Sequence, residues 1–226
     1  MLVEVLEKLF IVMYLLTFLA SLYRYPRYFE TRLKYLPIVF FYTLLNEILG
    51  YFTFHNPKYG FFSSDSISYY NMIIYNIYNI VFFIYFFYIY WYYVENKKNK
   101  IIIIYASILF ILVSFINPFF QNFIITAQIG TYVVGGIVLL LCIITYFNQC
   151  YKEEIFFWKD NLLIWISLGL LIFYTGYLPI KVSRFIHSVY QTNEAYHVRI
   201  VHYSLISVMY LLFIVGFLRM KKRMVK

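Results

Sequence analysis

Apolar residues run along this chain in long blocks, cut at intervals by short polar segments. A helix needs about 20 apolar residues to cross roughly 30 Å of hydrocarbon. Seven blocks meet or approach that length, at approximately 2–23, 35–54, 69–94, 101–117, 124–150, 161–182 and 200–218. The fourth is the shortest and is stopped by Asn117-Pro118; the third and fifth are long enough to tilt. The connections contain no Gly/Ser-rich linker and no internal repeat, and the longest runs from about Ser183 to Arg199. The pattern predicts an all-α integral membrane protein. It is a single seven-transmembrane-helix bundle over 1–226.

Composition makes the bilayer the solvent. The chain is 63% hydrophobic and 13% charged, against about 45–50% and about 25% in soluble domains. Mean hydropathy is +0.73. A water-soluble fold has too little interior to hide that much apolar surface. The 27 Tyr and 25 Phe accompany many Ile and Asn, a mix that base composition of a genome can produce. Aromatics therefore are not read one by one as chosen.

The net charge of +9 matters less than its distribution. Arg24, Arg27, Arg32, Lys34, Lys97, Lys98, Lys100, Lys152, Lys159 and the tail residues Arg219, Lys221, Lys222, Arg223 and Lys226 fall on one side of the seven-span plan. They are 14 of the 19 basic residues. Lys8, Lys58, Lys181, Arg184 and Arg199 fall on the other. Cytoplasmic loops carry the excess of Lys and Arg, so the N-terminus is placed outside and the C-terminus in the cytoplasm. The basic side then faces anionic lipids; no nucleic-acid patch is implied. Trp91 and Trp158 sit near the inner interface, where aromatic belts form. MLVEVLEKLF lacks a basic leader region, so the first block is kept as a span rather than a cleaved signal.

Two cysteines, Cys142 and Cys150, lie eight residues apart on one span. That is about 12 Å along a helix, too far for a disulfide, and no Cys/His metal signature accompanies them. Ala127, Thr131 and Gly135 repeat every four residues, with Gly136 next. Small residues at this spacing admit a neighbouring helix, either within the bundle or from a second copy.

The second block carries an anomaly, YTLLNEILGY, which puts Asn46 and Glu47 among leucines. Glu47 is seven residues from the outer end, roughly 10 Å deep, with Thr43 one turn away. At matching depth the third block has Asn76, and Asn79 three residues on shares its face, with Tyr69, Met72 and Phe83 along the same stripe. Gln128 and Thr131, Tyr174 and Thr175, and Tyr203, Ser204 and Ser207 lie at similar depth in later blocks. Together they predict a polar layer in the outer half of the bundle. A bilayer glutamate must face protein or water. With no Lys or Arg expected at its depth, Glu47 should be neutral or water-linked and hydrogen-bonded to Asn, Ser or Tyr. The same groups serve either as interhelical glue or as a ligand pocket. The pocket candidates are Glu47, Asn76, Asn79, Thr43, Tyr203 and Ser207.

A second polar cluster, His187, Glu194, His197, Arg199 and His202, precedes the last block, and His55 and Asp65 lie in another outer loop. Residues His55, Asp65, His197 and His202 give a loose similarity to alkaline ceramidase-like seven-span hydrolases, which would imply a zinc-dependent membrane hydrolase. The chain departs from that pattern. His197 and His202 are five apart rather than four, and Tyr51 or Thr53 stands where a serine is wanted. Read without the resemblance, these are solvated loop histidines, with no metal and no cofactor. A retinal protein needs a lysine inside the last span, and 200–218 has none. NEILGY, YNIYNI and the closing YLLFIVGFL with its basic tail resemble uncharacterised small seven-transmembrane bacterial proteins, which implies a multi-pass protein of the bacterial inner membrane. That family supplies no activity.

The expectation is therefore a sensor or receptor-like module. It binds a small or lipidic ligand, or a partner helix, in the outer half and signals through a separate partner at the basic loops and RMKKRMVK. The alternative is an oligomeric channel, transporter or membrane-disrupting effector. Against it stand the lack of charged rings, of inverted repeats and of paired broken helices.

Overall fold

The computed structural model describes residues 2–55, 72–152, 161–192 and 195–220, with the side chains of 2–5, 7–8, 51–55 and 196 left aside. Seven helices carry the fold: α1 (Leu2–Arg24), α2 (Leu36–His55), α3 (Met72–Tyr93), α4 (Lys97–Ile116), α5 (Ile129–Lys152), α6 (Leu162–Val189) and α7 (Tyr196–Arg219). All seven are long and apolar enough to cross a membrane, as the block pattern predicted.

The helices alternate in direction. Around the bundle α2 lies beside α1, α1 beside α7, α7 beside α6 and α6 beside α5, with α3 against α5. α2 and α3 close the ring through a thin contact, and α4 packs outside on α3 and α5. The outer position of α4 explains its exposed Ile101, Ile102, Ile108, Leu109, Leu112 and Phe115. An apolar side chain exposed in this way is at home only in lipid. Leu9, Val12, Leu15, Leu16, Leu19 and Leu22 form a comparable stripe on α1.

Small residues fix the close approaches. A Cβ on Gly135 would stand 2.6 Å from the Phe83 ring and 2.8 Å from Phe110. Gly136 is filled by Leu178 and Tyr174 of α6. The small-residue face of α5 is thus spent inside the bundle on α3, α4 and α6, and Gly135 and Thr131 are buried there. Of the seam Ala127, Thr131 and Gly135, the last two are covered within the bundle and Ala127 is half-buried. Cys142 and Cys150 are free and buried.

Two segments differ from expectation. The fifth helix starts at Ile129, not near 124, so Ala127 precedes it. Side chains make the turn before it. Ile124 N–H donates to Asn122 Oδ1, and Asn117 Nδ2 donates to Gln121 Oε1 and Gln128 Oε1. Gln121 Oε1 also accepts from Ile129 N–H, a donor at the helix start that has no partner within the helix. The sixth helix runs to Val189, about two turns past the expected end. It stops where Gln191 adopts φ 53° and Thr192 N–H bonds His187 O, the pairing of a Schellman cap. The expected long loop shrinks accordingly.

The basic residues Arg24, Arg27, Arg32, Lys34, Lys97, Lys98, Lys100, Lys152 and Arg219 gather at the end of the bundle where α1, α3, α5 and α7 finish. There the α1–α2 connection packs under α7. Tyr28 is fully buried, its OH donates to Ser21 O, and burial raises its phenol above the ordinary range. Arg24 Nη2 donates to Leu218 O at 3.0 Å and Arg27 Nη1 to Met220 O. Cationic donors on C-terminal carbonyls complement the helix dipole.

Candidate functional site

The helical spacing of YTLLNEILGY puts Thr43, Asn46 and Glu47 on one side of α2, at i, i+3 and i+4. That side lines a cavity of about 370 Å³ in the half of the bundle nearer the N-terminus. α3 contributes Tyr75, Asn76, Tyr78 and Asn79, α6 Tyr174, Tyr177 and Lys181, and α7 His202, Tyr203 and Tyr210. Phe82, Leu170 and Phe213 make part of its apolar lining. The volume lies within the range of small-molecule sites.

Glu47 is half-buried on this wall. Its carboxylate is within electrostatic reach of the phenols of Tyr14, Tyr75, Tyr78 and Tyr210. The hydrogen bonds to Asn, Ser or Tyr expected for it are not made among the described residues. The reason is local. Tyr75 OH donates instead to Asn46 O at 2.8 Å. Thr43 Oγ1, which donates to Val39 O, sits 2.5 Å from Tyr78 Oη, so Tyr78 O–H donates to Thr43 rather than to Glu47. Asn46, one residue earlier, is 2% exposed, and neither its Nδ2 nor its Oδ1 has a partner. An unmet buried amide costs about 1–3 kcal/mol.

The two asparagines of α3 part company. Asn76 Nδ2 donates to Phe123 O (2.8 Å) and Thr126 O (2.9 Å), and its Oδ1 accepts from Gln128 N–H (3.2 Å). Its amide is a clamp on the α4–α5 connection. Asn79 lines the cavity half-buried, without a hydrogen bond of that kind.

Lys181 lines the same cavity as Glu47, contrary to the expectation that no cation shares that depth. The cause is the extended α6, which makes Lys181 an interior residue of the helix rather than its edge. Its Nζ lies 5.2 Å above the Tyr132 ring. His202 stacks on Tyr177, with centroids 4.4 Å apart, and its Nδ1 is 3.2 Å from Arg184 Nη1. A guanidinium only donates, so Nδ1 accepts. A metal cation there would sit against a guanidinium.

Of the pocket candidates, Thr43, Glu47, Asn76, Asn79 and Tyr203 line the cavity. Ser207 is not among the lining residues; its Oγ donates to Tyr203 O on its own helix. Thr175 is exposed on the outside of α6. Among the metal candidates, Asp65 and the His55 side chain lie outside the described residues, His197 is exposed and His202 is in the cavity wall. No cluster of three metal-ligating side chains occurs among the described residues. Tyr14, Tyr75, Tyr78, Lys181 and Tyr210 were missed, and Asn46, though noted beside Glu47, was not among the pocket candidates. Tyr75 and Tyr78, three apart on α3 at the depth of Asn76, carried the available signal. No family model, curated protein or solved structure matches the chain.

Proposed function

We propose that the chain is a ligand-binding membrane module, receptor-like in that a small or lipidic molecule occupies the cavity and a separate partner carries the response. One observation carries this reading. The side chains of Asn46 and Glu47, adjacent on α2, make no hydrogen bond among the described residues: the Asn46 amide is buried and unmet, and the half-buried Glu47 lines the cavity. Interhelical glue would have its hydrogen bonds made, because unmade ones destabilise. A carboxyl group left without a partner on a cavity wall suits a molecule that completes it. The apolar lining by Phe82, Leu170 and Phe213 favours a closed site over a through-pore. The positive-inside rule puts the basic end in the cytoplasm and the cavity in the outer half. The basic connections are then the surface open to a cytoplasmic partner.

Native mass spectrometry of the chain in nanodiscs, after exposure to extract of the producing cells, tests this. The expected result is a retained non-bulk molecule in the wild type and its loss in Asn79→Trp, which fills the cavity. A wild-type chain that retains nothing refutes it.

A further inference from the structure

Two opposite formal charges line one cavity and do not meet. Glu47 comes from α2 and Lys181 from α6. No ion pair joins them among the described residues, and Lys181 instead lies over Tyr132. In a low-dielectric interior each charge demands a counter-charge, and the protein withholds the obvious one.

The surroundings of the two ends differ in kind. Near Glu47 the wall is aromatic. Tyr14 and Tyr210 meet edge to face at 4.3 Å, and Tyr78 packs on Phe82 at 5.6 Å. A carboxylate among aromatic faces is the arrangement that takes up an ammonium group, by charge and by the ring quadrupoles. Near Lys181 the wall carries His202, and behind it is a second cation: Arg184 does not line the cavity, but its guanidinium donates to His202 Nδ1. An anion is the group that end admits. Between them lie Tyr132 and Tyr174, 6.0 Å apart, then Phe82, 6.4 Å from Tyr174, a wall suited to a short apolar spacer. At about 30 Å³ per water, the 370 Å³ cavity holds about a dozen water volumes. A metabolite or the headgroup of a lipid fits that volume.

We infer that the ligand is a zwitterion, with its ammonium at Glu47 and its carboxylate or phosphate at Lys181. This rests on the cavity being a ligand site. The chemistry is shared by free amino carboxylates and by zwitterionic lipid headgroups, and the probes separate the two.

The test measures saturable thermal stabilisation of the wild-type chain in nanodiscs. One set of probes is the ω-amino carboxylates from aminopentanoate to aminododecanoate, each with its methyl ester (cation only) and its N-acetyl form (anion only). The other is phosphoethanolamine and lysophosphatidylethanolamine. The expected result is an optimum length in the first set or binding of the second, at least tenfold tighter than either single-charge form. Glu47→Gln and Lys181→Met should each remove that tenfold preference. Binding by amino carboxylates alone assigns a free metabolite, and binding by the phosphoethanolamines alone assigns a headgroup. The analogue comparison uses the unaltered chain, so it stands even where a variant folds poorly. Single-charge forms that bind as well as the zwitterions overturn the inference and leave the cavity reading intact. So does a retained cell-extract molecule that is not zwitterionic. If no probe binds and nothing is retained from extract, both fall.

Discussion

Asn76→Ala separates an asparagine that clamps the α4–α5 connection from Asn79, which lines the cavity without such bonds. The Asn76 side chain makes three hydrogen bonds to the α4–α5 connection, to Phe123 O, Thr126 O and Gln128 N–H. A net hydrogen bond contributes about 0.5–1.5 kcal/mol, and such bonds inside membrane proteins average about 0.6 kcal/mol. Three therefore sum to about 2–4 kcal/mol. The connection is anchored elsewhere by Asn117, Gln121 and Gln128, so the loss should appear as a loosened segment as well as a lower global stability. The assay is reversible unfolding of the reconstituted chain by steric trapping, with hydrogen exchange over 121–129. Asn76→Ala should lose about 2–4 kcal/mol and protection in that segment. Asn79→Ala, three residues on, should lose less than about 0.5 kcal/mol while weakening whatever the cavity binds. Equal stabilities for the two variants would refute the clamp, as would an Asn76→Ala chain with unchanged exchange at Gln128.

Other substitutions follow from the same geometry. Asn46→Leu removes an amide with two unmet atoms, and should stabilise the ligand-free chain by about 1–3 kcal/mol while abolishing stabilisation by ligand; a destabilised variant on thermal melting would contradict it. Gly135→Ala drives a Cβ into the fully buried rings of Phe83 and Phe110, and should cost about 1–3 kcal/mol in the same unfolding assay. Arg24→Ala with Arg27→Ala takes donors from the carbonyls of Leu218 and Met220; about 0.3–1 kcal/mol each should show as faster exchange at the end of α7, with the rest of the bundle unchanged.

The seven spans were legible because a crossing helix is a one-dimensional signal: some 20 apolar residues in a row suffice. Orientation of neighbours came with it, since short connections force alternation. The ends were less legible where polar side chains act against type. Lys181 looks like the edge of its span and Arg184 like a loop, yet α6 continues through them to Val189, because a long cationic side chain reaches a polar region without ending its helix. Ile124 and Ala127 look like span, yet Asn122, Gln121 and Gln128 turn the chain there. The outcome depends on which backbone groups a side chain can reach, and composition does not encode that.

The site was half legible for a related reason. Glu47 stood out because a carboxylate among leucines is rare, whereas Tyr75 and Tyr78 were hidden among 27 tyrosines. Rarity is a good guide to an expensive residue and a poor one to its surroundings. What separates glue from a site is whether a polar group's partners are already taken, and that is a property of the packed bundle. Asn76 and Asn79 have the same side chain on one helix and both line the cavity, yet only the first has its amide spent on Phe123, Thr126 and Gln128. Asn46 and Glu47 divide from Asn76 on the same criterion. Their place among leucines says that they are costly, and only the packed bundle shows that the Asn46 amide is left without a partner.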